Sequence, residues 1–472
     1  MTTLATIEPG PGIGVAQASR GDDYARFIEA KAQLGGEHGF VPTFQHPNAY
    51  DFQAHLVDWA ARQGRAALFC DCGLGKSLMA LSWAHNVVRH TRRPVLIAAP
   101  LSVSLQFVEE GQKFDLPAVR SLDGSIPPGA EIVTTNYERL HRFDPNDFAG
   151  FVGDESSVLK NFDGARKAEI TQFLLKVPFR LLCSATPAPN DYVELGTSSE
   201  ALGQLGHMDM LAMFFKNDKD SLHPGVGAAP WRFKRHAETA FWRWLASFAR
   251  AVRKPSDLGY DDGLFVLPHL HQVEHVVASE RAEGALFAMP ATTLAEERAE
   301  RRATIRSRCE QAAAILAAAP NGVAWCHLNE EADLLERLIP GAVQVAGSDA
   351  DERKEEVFQA FRRGEIARLV TKPRIAAYGL NWQHANTLTY FADHSFEQWY
   401  QAVRRMWRFG QTRPVTAHLI ASEGQRGATR NLARKAADAE RMFAQMVAHM
   451  ADALRVRRIE PHTLQQVVPS WL

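Results

Sequence analysis

Two stretches of the chain alternate short apolar runs with segments of helical period, and this alternation constrains the fold more than any other feature. Strands that alternate with helices usually form a parallel sheet whose two faces the helices cover. The sequence therefore predicts an α/β protein with two parallel sheets of comparable size. The predicted strands are 66–70, 95–99, 132–135, 151–152, 180–183, 322–326, 342–346, 366–371, 387–391 and 415–420, and the predicted helices are 76–90, 101–113, 165–176, 305–318, 329–339, 351–363, 396–407 and a tail at 428–456.

Changes in composition divide the chain into four parts. The N-terminal residues are rich in Gly and Pro and then weakly helical, which is typical of a leader with little core. Two breaks rich in Asn, Asp, Gly, Pro and Lys separate the α/β stretches. We predict a leader at 1–44, a first lobe at 45–214, a basic and aromatic linker or insertion at 215–263, and a second lobe with a helical tail at 264–472.

The composition is that of a globular protein, with 46% hydrophobic and 23% charged residues, and it excludes wholesale disorder. Five cysteines, an odd number at low density, do not indicate a disulfide scaffold. No apolar run is long enough to span a bilayer and the N-terminus has no secretory signal, so we expect a cytoplasmic protein with no membrane partner. The net charge of −1 does not indicate nucleic acid, but residues 231–260 carry seven Lys and Arg against two Asp and Glu, a local excess that can bind phosphate.

Residues 70–77, with the sequence CDCGLGKS, follow a predicted strand and begin a predicted helix. Gly73 and Gly75 allow the backbone to curl so that several N–H groups point at one phosphate. Lys76 is placed to reach the β- and γ-phosphates of a nucleotide, and Ser77 to ligate magnesium. The strict phosphate-loop pattern begins with Gly where this segment begins with Cys, so an ordinary strand–loop–helix turn is the alternative interpretation.

Asp154 and Glu155 come directly after an apolar run and are predicted to lie at the tip of a strand. Asp154 is therefore a candidate magnesium ligand, and Glu155 is a candidate for orienting the attacking water. An acidic helix N-terminus stabilised by the helix dipole is the alternative. The next predicted strand ends in residues 184–187, SATP, whose hydroxyls can contact both a nucleotide site and a neighbouring domain, unless they only cap a turn before proline.

Residues 401–411, QAVRRMWRFGQ, carry the sharpest signal of the second half. On the predicted helix, Gln401, Arg405 and Arg408 lie on one polar stripe. Two arginines one turn apart can clamp a γ-phosphate that another domain presents, as arginine fingers do. A solvated basic helix face is the alternative.

Taken together, these segments resemble the superfamily-two helicases and, within them, the Swi/Snf-type translocases, with a closer likeness to helicase-like proteins of phages and prophages. The likeness covers roughly residues 45–420 and departs from the family pattern at Ser156 and Ser157, which follow the acidic pair. The segments that resemble family motifs, in chain order, are 71–77, 99–102, 135–138, 154–157, 184–187, 371–372, 379–381 and 401–411, the last of which matches at every fixed position.

The resemblance implies two RecA-like lobes with ATP and Mg²⁺ in the cleft between them. Gln53 resembles the adenine-reading glutamine of the family. The implied catalytic residues are Lys76, Glu155, Arg405 and Arg408, the nucleotide-binding residues are Gln53, Gly73, Gly75, Lys76, Ser77, Gly379 and Gln401, and the metal ligands are Ser77 and Asp154.

The resemblance also implies a nucleic-acid strand lying across both lobes, with contacts that position the backbone and ignore base sequence. The residues that would make these contacts are Thr135, Asn136, Tyr137, Lys372 and Asn381. Tyr137 as a core aromatic is the alternative. Residues 231–244 interleave aromatic and basic side chains, and an amphipathic helix that packs its aromatics inward is favoured there over a stacking surface.

The sequence as a whole predicts an ATP-dependent nucleic-acid translocase or helicase, with duplex DNA as the favoured track and phage or host proteins as further partners. A nucleic-acid-binding ATP switch that clamps or remodels a nucleoprotein without stepping needs the same cleft, so it stays open as an alternative. A phosphate-loop kinase is a weaker alternative, because one lobe would suffice for it.

Overall fold

The computed structural model describes residues 38–161, 164–188, 192–217, 231–234, 237–279, 293–376 and 380–459. Two parallel sheets of seven and six strands form the centres of two lobes, as the alternating pattern predicts. Helices cover both faces of each sheet, so that the first sheet lies between two apolar clusters and the second between two more. No described helix is long and apolar enough to cross a bilayer.

The first lobe contains the strands of the seven-stranded sheet in the order β3-β4-β2-β5-β6-β1-β9, with a small antiparallel ribbon, β7 and β8, beside it. Its strands are β1 (Arg65–Cys70), β2 (Val95–Ala99), β3 (Ala118–Arg120), β4 (Ile132–Asn136), β5 (Gly150–Gly153), β6 (Phe179–Ser184), β7 (Phe215–Asn217), β8 (Trp231–Phe233) and β9 (Ala249–Val252). Its helices are α1 (Asp51–Gln63), α2 (Lys76–Thr91), α3 (Leu101–Lys113), α4 (Gly164–Lys176), α5 (Leu195–Leu202), α6 (His207–Phe214) and α7 (Glu238–Phe248).

The second lobe contains the six-stranded sheet in the order β10-β15-β14-β11-β13-β12. Its strands are β10 (Leu270–Val277), β11 (Gly322–Trp325), β12 (Ala342–Gln344), β13 (Arg368–Thr371), β14 (Thr387–Phe391) and β15 (Val415–Ser422). Its helices are α8 (Leu294–Ala303), α9 (Ile305–Ala318), α10 (Asn329–Leu338), α11 (Asp351–Arg362), α12 (Pro373–Ala376), α13 (Phe396–Val403) and α14 (Arg426–Ile459).

The order of strands in the first sheet confirms the RecA-like arrangement. β6 lies between β1 and β5. β1 leads into residues 71–77, the predicted phosphate-binding loop, and β5 leads into Asp154 and Glu155, the acidic pair. All three strands run parallel, so their carboxyl ends meet at one edge of the sheet. That edge faces the second lobe.

Two domain boundaries differ from the prediction. Residues 38–44, assigned to the leader, pack on the first lobe: Phe40 is buried and stacks on His90, with ring centroids 4.3 Å apart. Within 215–263, assigned to a linker or insertion, β9 pairs with β1 and so belongs to the first sheet. The apolar signal of β9 was missed because Arg250 interrupts it; this arginine is buried and lies over the ring of Trp59 at 4.1 Å.

The aromatic segment before β9 matches the favoured interpretation in its second part only: Trp231–Phe233 form strand β8, whereas Glu238–Phe248 form an amphipathic helix. Phe241 and Trp242 of α7 are fully buried in the core of the first lobe, while Arg243 on the same helix is exposed.

The C-terminal helix α14 connects the two lobes. It leaves the second lobe after β15 and returns to the first, where Met442, Phe443, Met446 and Met450 join the apolar cluster that contains Trp242. The backbone N–H of Ala251 in β9 lies 2.9 Å from the sulfur of Met450. We call these four apolar side chains the α14 contact.

Candidate active site

A cavity of about 410 Å³ lies between the two lobes at the carboxyl edge of the first sheet. Residues predicted from both halves of the sequence meet in it. Of the predicted site residues, those that line it are Gln53, Gly73, Gly75, Lys76, Ser77, Asp154, Glu155, Asn381, Arg405 and Arg408.

The phosphate-binding loop is shaped by two glycines with positive φ, +91° at Gly73 and +78° at Gly75. A β-carbon at Gly73 would lie 2.7 Å from the backbone nitrogen of Phe409 in the second lobe, and one at Gly75 would collide with the Gln53 amide. Gly73 is therefore required by a close backbone neighbour as well as by the turn, and Gly75 by its positive φ. Lys76 bonds back to the carbonyl of Cys70 through its Nζ, at 3.0 Å.

The acidic pair follows β5 and is buried in the cavity wall. Glu155 has φ +49°, an unfavourable conformation for a residue with a side chain, and such strain concentrates at functional sites. Within the described residues, Asp154 Oδ1 and Glu155 Oε2 have no hydrogen-bond partner. Burial and the neighbouring Glu155 raise the pKa of Asp154 to about 7, although Lys76 acts in the opposite direction.

Lys76 stays charged in this setting. Burial disfavours its ammonium form, but the nearby Cys72, Glu155 and Asp154 offset the burial, and the pKa of Lys76 is raised above its ordinary value. The cavity thus holds the Lys76 ammonium beside two carboxyl groups. Each carboxyl group has one oxygen without a hydrogen-bond partner among the described residues, and these oxygens are available to bind a metal cation.

Arg405 and Arg408 reach the cavity from the second lobe, but not as neighbours on a helix. α13 ends at Val403, four residues before the predicted end, and both arginines lie in the turn that follows. The guanidinium of Arg405 donates from Nε to the carbonyl of Gln401 at 3.0 Å, and so takes the acceptor that the next helical turn would use. Burial and the adjacent Arg405 lower the pKa of Arg408 to about 10, so Arg408 remains charged at neutral pH.

Gln401 does not line the cavity. It is fully buried, and its side-chain oxygen accepts from Arg405 at 2.6 Å, so it positions this arginine. Gly379, the other second-lobe residue predicted to bind nucleotide, lies outside the described residues.

An aromatic wall that the sequence did not predict closes one end of the cavity near Gln53. It consists of Tyr50, Phe265 from the segment between the lobes, and Phe409. The rings of Phe265 and Phe409 lie 4.7 Å apart, and those of Tyr50 and Phe265 lie 5.0 Å apart. Isolated aromatics give no periodic signal, so only the fold could bring these three together.

The residues predicted to contact nucleic acid fall in three places. Thr135, Asn136 and Tyr137 are buried, and the Tyr137 hydroxyl donates to the carbonyl of Asp154 at 2.9 Å, so Tyr137 is a core aromatic, as its alternative interpretation stated. Lys372 is half-buried and bonds to Asn329. Asn381 lies in the cavity wall. The structure therefore does not bring these five together on one surface.

The sequence also did not predict an ion pair between the two lobes. The carboxylate of Asp71, in the phosphate-binding loop, forms an ion pair with Arg404 and accepts a hydrogen bond from the Tyr400 hydroxyl. Both charged side chains are almost completely buried. These partners are 333 positions apart, and no local pattern could have paired them.

Comparisons with known proteins find similarity over part of the chain. It is 31% identical over 166 residues to the SWI/SNF-related matrix-associated actin-dependent regulator of chromatin subfamily A-like protein 1 of Xenopus tropicalis, covering 33% of this chain and 17% of that protein. It is also 24% identical over 190 residues to the chromodomain-helicase-DNA-binding protein 3 homolog of Caenorhabditis elegans, covering 31% of this chain and 10% of that protein. No family model matches.

Each match thus spans less than a fifth of the relative's length. Among solved structures, the Sulfolobus solfataricus SWI2/SNF2 ATPase core in complex with dsDNA aligns with a TM-score of 0.40 and 16% identity, over 80% of this chain and 90% of that one.

Ser156 and Ser157 follow the acidic pair, at the point where the sequence departs from the helicase pattern that it otherwise resembles. The Ser157 hydroxyl lies 3.5 Å from that of Thr186, in the segment after β6. The residues that directly follow the acidic pair are therefore in contact with the SATP segment, residues 184–187, through two hydroxyls.

The cavity fits a magnesium ion. Asp154 and Glu155 offer carboxylate oxygens without a partner among the described residues, and Ser77 lines the same wall. Oxygen ligands of this kind are those that magnesium prefers.

Proposed function

We propose that the protein is an ATP hydrolase that uses nucleotide turnover to move along nucleic acid, with duplex DNA as the favoured track. One observation carries the proposal: Lys76, Asp154 and Glu155 of the first lobe face Arg405 and Arg408 of the second across a single cavity. A phosphate-loop enzyme of one lobe would not need the two arginines. The Swi/Snf-like match and the resemblance to phage helicase-like proteins support the choice of track and the superfamily-two class.

Each residue would act on a different part of the nucleotide. Lys76 would leave the Cys70 carbonyl and bind the β- and γ-phosphates, while the loop N–H groups hold the phosphate oxygens. Gln53 and the aromatic wall would bind the base. Glu155 would orient the attacking water, and Arg405 and Arg408 would stabilise the charge that develops on the transferred phosphoryl group.

Magnesium would be held by Ser77 and Asp154. The ion would supply neutralisation of phosphate charge, which the three nearby cations provide only in part. Asp154 must lose its proton to serve as a ligand, so its raised pKa predicts that magnesium binding weakens as the pH falls below about 7.

The deciding experiment measures the ATPase rate of the full chain alone and with duplex DNA, single-stranded DNA or RNA. We expect duplex DNA of arbitrary sequence to stimulate most, with a steep loss at higher salt because phosphate contacts release counterions. Lys76→Ala should abolish turnover, and Glu155→Gln should retain ATP binding but not hydrolysis. Normal hydrolysis by Glu155→Gln would remove the role assigned to that carboxylate, and stimulation by RNA alone would remove the duplex-DNA assignment.

The ATP switch is a second candidate, and the α14 contact favours it, because a helix embedded in both lobes limits how far they separate. Displacement of a third strand from a DNA triplex distinguishes the two. A translocase displaces it in an ATP-dependent manner, whereas a switch hydrolyses ATP and leaves it bound.

A further inference from the structure

We propose that Asp71, Tyr400 and Arg404 form an interlobe latch that positions the phosphate-binding loop against the arginine-bearing turn. The kinetic part of this proposal rests on the proposed ATPase function. Arg404 is assigned as a positioning residue that acts through its neighbours, distinct from Arg405 and Arg408, which line the cavity.

The Asp71 carboxylate links the loop to the second lobe. One of its oxygens, Oδ1, accepts from the backbone N–H of Cys72 at 2.6 Å and also from the Tyr400 hydroxyl. The other, Oδ2, is paired with Arg404. Since Cys72 lines the cavity and Asp71 does not, the latch lies directly behind the loop wall.

Arg404 is held on its other faces as well. Its guanidinium lies 4.4 Å from the Trp407 ring and 5.3 Å from the Tyr400 ring, and it donates to the Trp407 carbonyl at 3.3 Å. Tyr400 and Asp71 raise the pKa of Arg404, against the effect of burial, so the charge persists at any working pH. The contacts with Asp71, the Trp407 carbonyl and the two aromatic rings together restrict where the Arg404 guanidinium can lie relative to the loop.

The latch also fixes the next residue. Arg404 immediately precedes Arg405, so holding the Arg404 guanidinium limits where the backbone between the two residues can lie. The same carboxylate orients the loop N–H of Cys72, so the phosphate site and the arginine that faces it are set by one buried ion pair. Loss of the latch should therefore impair the chemical step more than nucleotide binding.

The test compares Asp71→Asn, Arg404→Gln, the double variant and Tyr400→Phe in the full chain. Arg362→Gln is the matched control, because Arg362 also pairs across the lobes, with Glu109 at 3.0 Å, but at the exposed surface. We expect kcat to fall about tenfold or more in Asp71→Asn and Arg404→Gln, with the KM for ATP changed by less than about threefold. The double variant should be no slower than the slower single, and Arg362→Gln should change kcat by less than about twofold.

Hydrogen exchange of the nucleotide-free protein supplies a second readout that does not depend on hydrolysis. The latch predicts faster exchange in 71–77 and 405–411 of the Arg404→Gln and Asp71→Asn variants, with unchanged exchange in β2 and β11. Multiplicative losses in the double variant, or a loss of protection throughout the chain, would overturn the latch. If the wild-type chain hydrolyses no ATP, the proposed function fails and the exchange measurement alone decides.

Discussion

Two of the contacts between the lobes have opposite chemical character. At the cavity the contact is charged, with the Asp71–Arg404 ion pair behind a wall where Lys76 faces Arg405. At the α14 contact it is apolar, with Met446 and its neighbours in the core of the first lobe. Charged contacts respond to the charge of a bound ligand, whereas apolar burial is non-directional and does not. We therefore expect the cavity to open and close while the α14 contact persists as the pivot.

The largest expected effect lies at the charged contact. Arg405→Ala should lower kcat by about 10³-fold or more, because the variant removes a cation from the place where negative charge develops. Thermal melting should show that the protein still folds, because the variant keeps the buried side chains of Met406 and Trp382 beside this position.

The same substitution also tests whether the charged contact differs from the α14 contact in this way. Arg405 is buried and bonds to the carbonyls of Gln401 and Leu380. If Arg405→Ala no longer yields folded protein, the arginine is chiefly structural and the charged contact is not specialised for ligand. Arg408→Ala, which removes one bond to Leu380, then becomes the decisive variant.

The second effect lies at the apolar contact. Met446→Ala should destabilise the protein by about 2–5 kcal/mol in urea denaturation, because it empties a fully buried site between α14 and the first lobe. Met213→Ala is the control, since Met213 is 50% exposed and its loss should change the free energy of unfolding by less than about 0.5 kcal/mol. Equal stability of the two variants would show that α14 does not anchor the lobes.

The sequence predicted the parts of this molecule that depend on local pattern. Strand β2 and helices α3 and α9 have the predicted bounds. The strand is a short continuous apolar run, as expected for a strand buried on both faces, and the two helices carry apolar residues at helical spacing. Strand β10 was missed because it is an edge strand with mostly exposed side chains and no apolar run.

For the site, the resemblance to the helicase motifs was enough to predict that Lys76, Asp154, Glu155 and Arg405 lie around one cavity. It could not place Asn381, which lines the cavity although its motif suggested nucleic acid. The helical period also extended α13 too far, since a side chain competing for one carbonyl is invisible to a periodic pattern. Contacts made by tertiary folding alone, such as Asp71 with Arg404, need the structure.

Two buried carboxylates sharpen the comparison further. Glu331 in the second lobe is paired with Arg308 at 2.8 Å and accepts two backbone N–H groups. Despite its burial, Arg308 and these N–H groups lower the pKa of Glu331. Asp154 has the opposite shift, because burial and Glu155 raise its pKa to about 7. A buried carboxylate that lacks a partner, such as Asp154, therefore destabilises the folded state while it is charged. A buried carboxylate that is paired, such as Glu331, does not.

The smallest expected effect follows from this difference and is a dependence of stability on pH. Between about 4 and 7 the folded protein keeps a proton on Asp154 that the unfolded chain has released, so this group makes the free energy of unfolding fall as the pH rises through that window. Asp154→Asn removes the effect. Urea denaturation of nucleotide-free protein should show the variant gaining more over the wild type at pH 8 than at pH 5, by about 1.4 kcal/mol for each pH unit that lies between 5 and the pKa of Asp154 in the folded protein. Glu331→Gln is the control: its pKa is lowered, so its cost should be the same at both pH values. A gain for Asp154→Asn that does not change with pH would mean that the charge of the Asp154 carboxylate is already compensated in the nucleotide-free cavity.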